Sequence, residues 1–314
     1  MPVVESLFRP PWYLRNCHVQ TILPVLAGGG GRPAFRRERL ELPDGDFLDL
    51  DWIESGHERL AILCSGLEGN SRDPGMLRLA RSFESHRWDV LSWNYRGCSG
   101  VLNRLVRSYH SGATEDLAAV VSRAGARPVA LVGCSIGGNL MLKYLGETLP
   151  PENIVGAVAV SAPVDLASTA RALDRRPGNR IYLRRLISSL CKKVRAKEAA
   201  MPGLISLDGL SCLHGFEHFD DRFTAPIHGF LGAEDYWEKC SARQFLHSIG
   251  VPALLLSAKD DPFLTPEAFP YSEAEENPRL VLEVPEFGGH LGFLDRSGQW
   301  IGSRAAEFLS RFAP

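Results

Sequence analysis

Short apolar runs and helix-spaced apolar stripes alternate along most of this chain. Phe35 to Ile53 alternates apolar and polar residues around Asp44-Gly45, the signature of a hairpin. Leu60 to Leu63 reads as a short buried strand, Pro74 to Ser85 as a helix and Trp88 to Trp93 as the next strand. Thr114 to Arg123 is a predicted helix with Glu115 and Asp116 in its first turn, where the helix dipole favours acids. Val129 to Val132 is a strand, followed by helical spacing from Asn139 to Gly146, and Ile154 to Val160 is a further strand. The same rhythm closes the chain: a helix over Ser241–Ile249, strands at Val251–Ser257 and Leu280–Val284, and a helix over Gln299–Phe312. Strands separated by helices predict the α/β class, with a mostly parallel, doubly wound sheet. The near-continuous apolar strands predict that helices cover both faces.

Two stretches break the rhythm. Residues 1–34 are rich in Pro and Gly, carry Phe8 and Trp12, and close on Gly28 to Gly31; they read as an ordered arm, with His18 bonding loop backbone. Between residues 164 and 230 a helical stripe of Tyr182, Leu183, Leu186, Ile187 and Leu190 replaces the strand pattern, the mark of an inserted helical cap. The expected organisation is therefore an arm (1–34), a core (35–163 and 231–314) and a cap (164–230). From Arg171 to Lys197 the only acid is Asp174. Such a basic face is a solvated surface or an attractor of anionic head groups or acyl-carrier-like substrates.

Composition narrows the picture. The chain has 314 residues, 45% of them hydrophobic, enough for a large core. A net charge of −2 gives no global argument for nucleic acid. The seven cysteines are scattered, odd in number and without a Cys-x-x-Cys, which suits reduced thiols of a cytoplasmic protein and offers no zinc spacing. The N-terminus lacks the pattern of a signal peptide, and no apolar run approaches the length of a spanning helix. A peripheral membrane contact stays open, and the oligomeric state is unreadable.

The chemistry concentrates at Gly133-Cys-Ser-Ile-Gly137, between a predicted strand and a predicted helix. Strand, Gly-x-Ser-x-Gly, helix is the nucleophile-elbow pattern. A serine thrust from such a turn needs strained backbone angles, and glycines two residues away remove competing side chains. A serine hydroxyl also needs a base, and the base an orienting carboxylate, supplied here in chain order from loops after later strands. His290, after the last strand and beside Gly288 and Gly289, is the candidate base. His110, His214, His218 and His228 fall on other loops. Asp260 and Asp261 both follow the strand ending near Ser257; Asp261 is preferred because Pro262 fixes its turn, leaving Asp260 to bond local N–H groups. For an oxyanion hole, the backbone N–H groups of Ile136 and of Leu67, in Gly66-Leu-Glu-Gly69, are the candidates.

Together these residues resemble the YheT-like branch of the α/β-hydrolases, related to the animal ABHD lipases. The resemblance runs over nearly the whole chain: Arg15-Asn-Cys-His-Val-Gln-Thr-Ile-Leu-Pro24, Gly66 to Gly69, Tyr95-Arg-Gly-Cys-Ser-Gly100, Tyr109 to Gly112 with Thr114 to Asp116, Gly133 to Asn139, Ser161 to Pro163, Phe219 to Asp221 with Thr224 to Gly229, Ala258 to Phe263, and Gly288 to Phe293. It implies a serine carboxylic-ester hydrolase with catalytic Ser135, Asp261 and His290, acting on a small acyl ester or lipid. One departure stands out, since the family's oxyanion loop usually begins with His where this chain has Ser65. The chemistry requires no metal and no organic cofactor. A thioesterase or acyltransferase would use the same residues, and a non-catalytic lipid-associated protein could keep the scaffold.

Overall fold

The computed structural model describes residues 3–313 apart from 29, 30, 32, 297 and 299. Gly29 and Gly30 of the glycine run, and Gln299 at the expected start of the last helix, therefore lie outside the described residues.

In chain order, the chain forms β1 (Val3–Val4), α1 (Cys17–Leu26), β2 (Arg36–Glu41), β3 (Phe47–Ile53), β4 (Arg59–Cys64), α2 (Pro74–Ser85), β5 (Trp88–Asn94) and α3 (Thr114–Arg123). Next come β6 (Val129–Cys134), α4 (Ile136–Glu147) and β7 (Ile154–Val160). An excursion follows, with α5 (Leu166–Arg175), α6 (Arg180–Ala200), α7 (Phe216–Phe219), a π-turn at Asp220–Thr224, α8 (Ala225–His228) and α9 (Ala233–Cys240). The chain then completes β8 (Ala253–Leu256), α10 (Tyr271–Glu276), β9 (Leu280–Glu283) and α11 (Trp300–Leu309).

Among the described residues the nine strands make one sheet, ordered β1-β9-β8-β7-β6-β4-β5-β3-β2. Only β3 runs antiparallel to its neighbours β2 and β5; the other pairings are parallel. This is the expected α/β class. Strand alternation divides β4 between two cores: Leu60, Ile62 and Cys64 face α3 and α4, while Ala61 and Leu63 face α2 and α11. Every residue of β3 is buried, including Asp49 and Asp51. Arg39 and Arg37 of β2 neutralise these two carboxylates. The helices of the excursion share an apolar cluster of their own, which continues past residue 230 into α9 through Tyr236 and Trp237.

Three local expectations change, the first at His18, whose ring meets Tyr182 Oη at 3.0 Å and not loop backbone. Ser241–Ile249 is not an α-helix; its wound part, Ala242–Ser248, is a 3₁₀ helix. Asn277 Nδ2 occupies the carbonyls of Leu246 and Ile249, and Phe245 carbonyl O comes so near Gly146 that a Cβ there would lie 2.1 Å away. The arm holds more structure than its composition suggested. Val3 and Val4 pair in parallel with β9, and α1 forms despite Pro24 in its interior, capped by Asn16 Oδ1, which accepts from the N–H groups of His18 and Val19.

Candidate active site

The site lies at the carboxyl ends of β4, β6, β8 and β9, where open α/β sheets present loops to a ligand. Ser135 follows β6 with φ 52° and ψ −125°, a strained conformation for a residue with a side chain. The glycines on either side are forced by close approach. A Cβ at Gly133 would lie 2.5 Å from Gly137 O, and one at Gly137 would lie 2.4 Å from Ser65 O.

His290 Nε2 is 3.0 Å from Ser135 Oγ. On the other side of the ring, Nδ1 is 2.9 Å from Asp261 Oδ2, whose Oδ1 accepts the Phe263 N–H at 2.9 Å. The Phe263 ring lies 4.2 Å from the imidazole, centroid to centroid, and limits its swing. Asp261 and His290 are both buried. Asp260 does not bond the ring, and its reach is not local either: Oδ1 accepts the N–H of Gly289, in the histidine loop, at 2.9 Å. Burial pushes the Asp260 carboxyl above its usual range, against the lowering effect of that N–H. The other histidines have partners elsewhere. Ring nitrogens of His228 meet the carbonyls of Thr224 and Ser108, His110 packs on His228, and His214 packs on His218.

Gly66 brings the loop after β4 against Ser135, so that a Cβ there would sit 3.5 Å from Ser135 Cβ. Among the described residues, neither the Leu67 nor the Ile136 N–H donates to a protein acceptor. Ile136 opens α4, so its N–H also carries the positive end of the helix dipole. Glu68, at φ 59°, follows directly. Its N–H donates to Tyr109 Oη at 2.7 Å. Its carboxylate accepts from Tyr109 Oη at 2.9 Å, Ser189 Oγ at 2.9 Å and Lys193 Nζ at 2.6 Å.

The arm braces the histidine loop. The His290 N–H donates to Thr21 Oγ1 at 2.9 Å. Gln20 accepts the Leu294 N–H at 2.6 Å and returns a bond to Leu294 O at 3.1 Å. A Cβ at Gly289, where φ is 55°, would fall 2.4 Å from Cys17 O, so α1 and this loop touch backbone to backbone. The sequence offered one pointer to Gln20 and Thr21, their place in the Arg15–Pro24 motif, and no pointer to Ser189 or Lys193.

Ser135 and His290 open into a cavity of about 570 Å³ with an apolar majority in its wall, including Leu67, Leu186, Leu190, Phe216 and Phe223. That volume suits a drug-sized or acyl-sized ligand. Among the described residues, no cluster of three or more His, Cys, Asp or Glu could hold a metal ion. All seven cysteines are free thiols.

Residues 62–297 match the family described as alpha/beta hydrolase fold. The chain belongs to the α/β-hydrolases. Within that family it is 36% identical to YheT of Escherichia coli, over 97% of this chain and 93% of that one, which sets it in the YheT-like branch. The phospholipase ABHD3 of Mus musculus is 28% identical, over 99% of this chain and 78% of its own length. The medium-chain fatty acid ethyl ester synthase/esterase 2 of Saccharomyces cerevisiae is 29% identical, over 90% and 68%. The solved structure of a Pyrococcus furiosus esterase superposes on this α/β-hydrolase with a TM-score of 0.63 at 19% identity, covering 91% of this chain and 96% of that one, a likeness of fold. No described helix is long and apolar enough to cross a membrane.

Proposed function

We propose that this α/β-hydrolase cleaves carboxylic esters through an acyl-serine intermediate, with Ser135 as nucleophile, His290 as general base and acid, and Asp261 as the carboxylate that orients the imidazole. The observation carrying the reading is the continuous line of contacts from Asp261 Oδ2 through the His290 ring to Ser135 Oγ, at 2.9 and 3.0 Å. Ser135 Oγ attacks the carbonyl carbon as its proton passes to Nε2, and Asp261 steadies the imidazolium. The N–H groups of Leu67 and Ile136 receive the oxyanion. The alcohol leaves with the proton from Nε2, and water activated by the same nitrogen releases the acid and frees Ser135.

The apolar wall of the cavity and the names of the relatives favour acyl or lipid esters, with the 164–230 insert acting as the cap that sets chain length. The test is labelling by a fluorophosphonate and turnover of p-nitrophenyl esters of rising chain length. Wild type labels and turns over, and Ser135→Ala does neither. Unchanged labelling or hydrolysis in Ser135→Ala overturns the proposal. A second reading, acyl transfer to an alcohol, is favoured by the yeast relative whose name joins ester synthase to esterase. Product analysis with ethanol against water as acceptor separates the two.

A further inference from the structure

The helix α1 is amphipathic the wrong way round. Its buried residues are Gln20, Thr21 and Pro24, and the two polar ones hold the histidine loop. Its outward stripe is Val19, Ile22, Leu23 and Leu26, at the helical spacing i, i+3, i+4 and i+7, and Leu26 is 75% exposed. The preceding turn adds Trp12 and Tyr13, packed edge to face and exposed at 80% and 59%. Of the sixteen large apolar side chains exposed among the described residues, eight lie between Leu7 and Leu26. Exposed apolar residues scattered singly need no explanation, whereas a contiguous patch marks a partner. This patch also rims the cavity, because Ile22, Val25 and Leu26 line it.

The charges around the patch select the partner. From Ser6 to Phe35 the sequence contains no acid and carries Arg9, Arg15 and Arg32, of which Arg9 pairs with Glu5. The first turns of α6 adjoin α1 through His18 Nδ1 and Tyr182 Oη, 3.0 Å apart. They bring exposed Arg180, Arg184 and Arg185, none of which forms an ion pair among the described residues. A second copy docked face to face would set these cations against their own images. An anionic bilayer offers the opposite: hydrocarbon for the stripe, the interfacial layer for Trp12 and Tyr13, and phosphates for the arginines. We infer that the α1 face, with Trp12, Tyr13 and the tip of α6, is a docking surface for an anionic lipid bilayer, set so that the cavity mouth opens at the membrane. The inference deepens the esterase reading and rests on it for purpose alone, since docking itself needs no catalysis.

The test is co-sedimentation of the full chain with vesicles of pure phosphatidylcholine or of phosphatidylcholine with about a third phosphatidylglycerol. Ser135→Ala is run beside wild type, so that binding is read apart from turnover. Both proteins should pellet with the anionic vesicles, and salt should weaken the binding. Trp12→Ala with Leu23→Asp should lower affinity at least tenfold and leave hydrolysis of a soluble ester unchanged, which also reports that the variant folds. Trp12→Ala alone should show a smaller loss of the same kind. Arg180→Glu with Arg184→Glu should abolish the preference for anionic vesicles, each charge near the surface being worth about fivefold. Failure of wild type to bind, equal binding by the apolar variant, or a dimer in solution that Leu23→Asp dissociates overturns the inference. Loss of esterase activity in every form with docking intact would instead remove the catalytic proposal and leave this one standing.

Discussion

Lys193 Nζ, in α6, lies 2.6 Å from Glu68 Oε1, one residue beyond the Leu67 N–H proposed to receive the oxyanion. Both side chains are largely buried. The pair therefore ties α6 to the loop that the proposed mechanism sets against the reacting carbonyl. Lys193→Met should lower kcat about tenfold to a hundredfold, with a smaller change in KM, because the loop loses its orientation rather than the cavity its shape. Lys193→Met with Glu68→Gln should recover part of the loss, since no carboxylate is then left buried without its cation. Steady-state kinetics on the four members of the double-mutant cycle check this.

The bond from the His290 N–H to Thr21 Oγ1 makes α1 part of the geometry around His290. Thr21→Val strands that N–H in a buried place and should lower kcat about tenfold without raising KM. Thr21→Ser, which keeps the oxygen, should restore most of it. Gly289→Ala should be worse than either, because its Cβ would meet Cys17 O and its φ is positive. Kinetic constants of the three variants, with thermal melts to separate misfolding, decide the matter.

Arg96 and Asp116 come from two motifs that carry the family resemblance, yet they point away from the chemistry. Their side chains form a two-pronged ion pair at 2.8 and 2.6 Å, each only 2% exposed. Arg96 also reaches Asp44 and Asp46 in the hairpin turn between β2 and β3. Asp116→Ala should cost about 3–5 kcal/mol of stability, measured by denaturant unfolding, because a buried cation loses its main partner. Protein that remains folded should keep a near-normal kcat.

Asp220, in the π-turn of the insert, accepts from Thr224 Oγ1 at 2.6 Å and from Trp237 Nε1 at 2.8 Å. Burial pushes its carboxyl up from the usual 3.8 to about 7. Between those values the folded chain holds a proton that the unfolded chain has released, so this group makes stability fall as pH rises from about 4 to about 7. Asp220→Asn, which cannot ionise, should remove that contribution, up to about 1.4 kcal/mol for each pH unit. Denaturation midpoints of wild type and variant across this range test the sign and the size.

The strand–helix rhythm made the sheet legible, because buried parallel strands are continuous apolar runs and few other elements have that pattern. Ser135, Asp261 and His290 were readable for a related reason: a strained turn leaves glycines, and the loops after strands are where an α/β sheet presents side chains. The arm was harder. Pro24 interrupts the helical pattern of α1, and a two-residue strand such as β1 has no periodicity to detect. Gln20 and Thr21 were legible only as members of the Arg15–Pro24 motif, and Ser189 and Lys193 not at all, because each acts through a fold-long contact and nothing local distinguishes a bracing threonine from a solvated one. The 3₁₀ winding of Ala242–Ser248 likewise depends on Asn277 and on the backbone near Gly146, both remote in sequence.

The contacts that brace the histidine loop impose an order on folding. Ser6 Oγ donates to Glu283 across 277 residues, and the His290 N–H reaches Thr21 across 269. During synthesis the arm emerges before β9 and the histidine loop, and has neither to join until they have followed. Loop closure over such separations is entropically costly and makes for slow, late steps. Until then, the apolar stripe of α1 stays with a nascent chain that has not yet covered its own edge strand, a span in which a chaperone or a lipid surface would meet it before the rest of the molecule does.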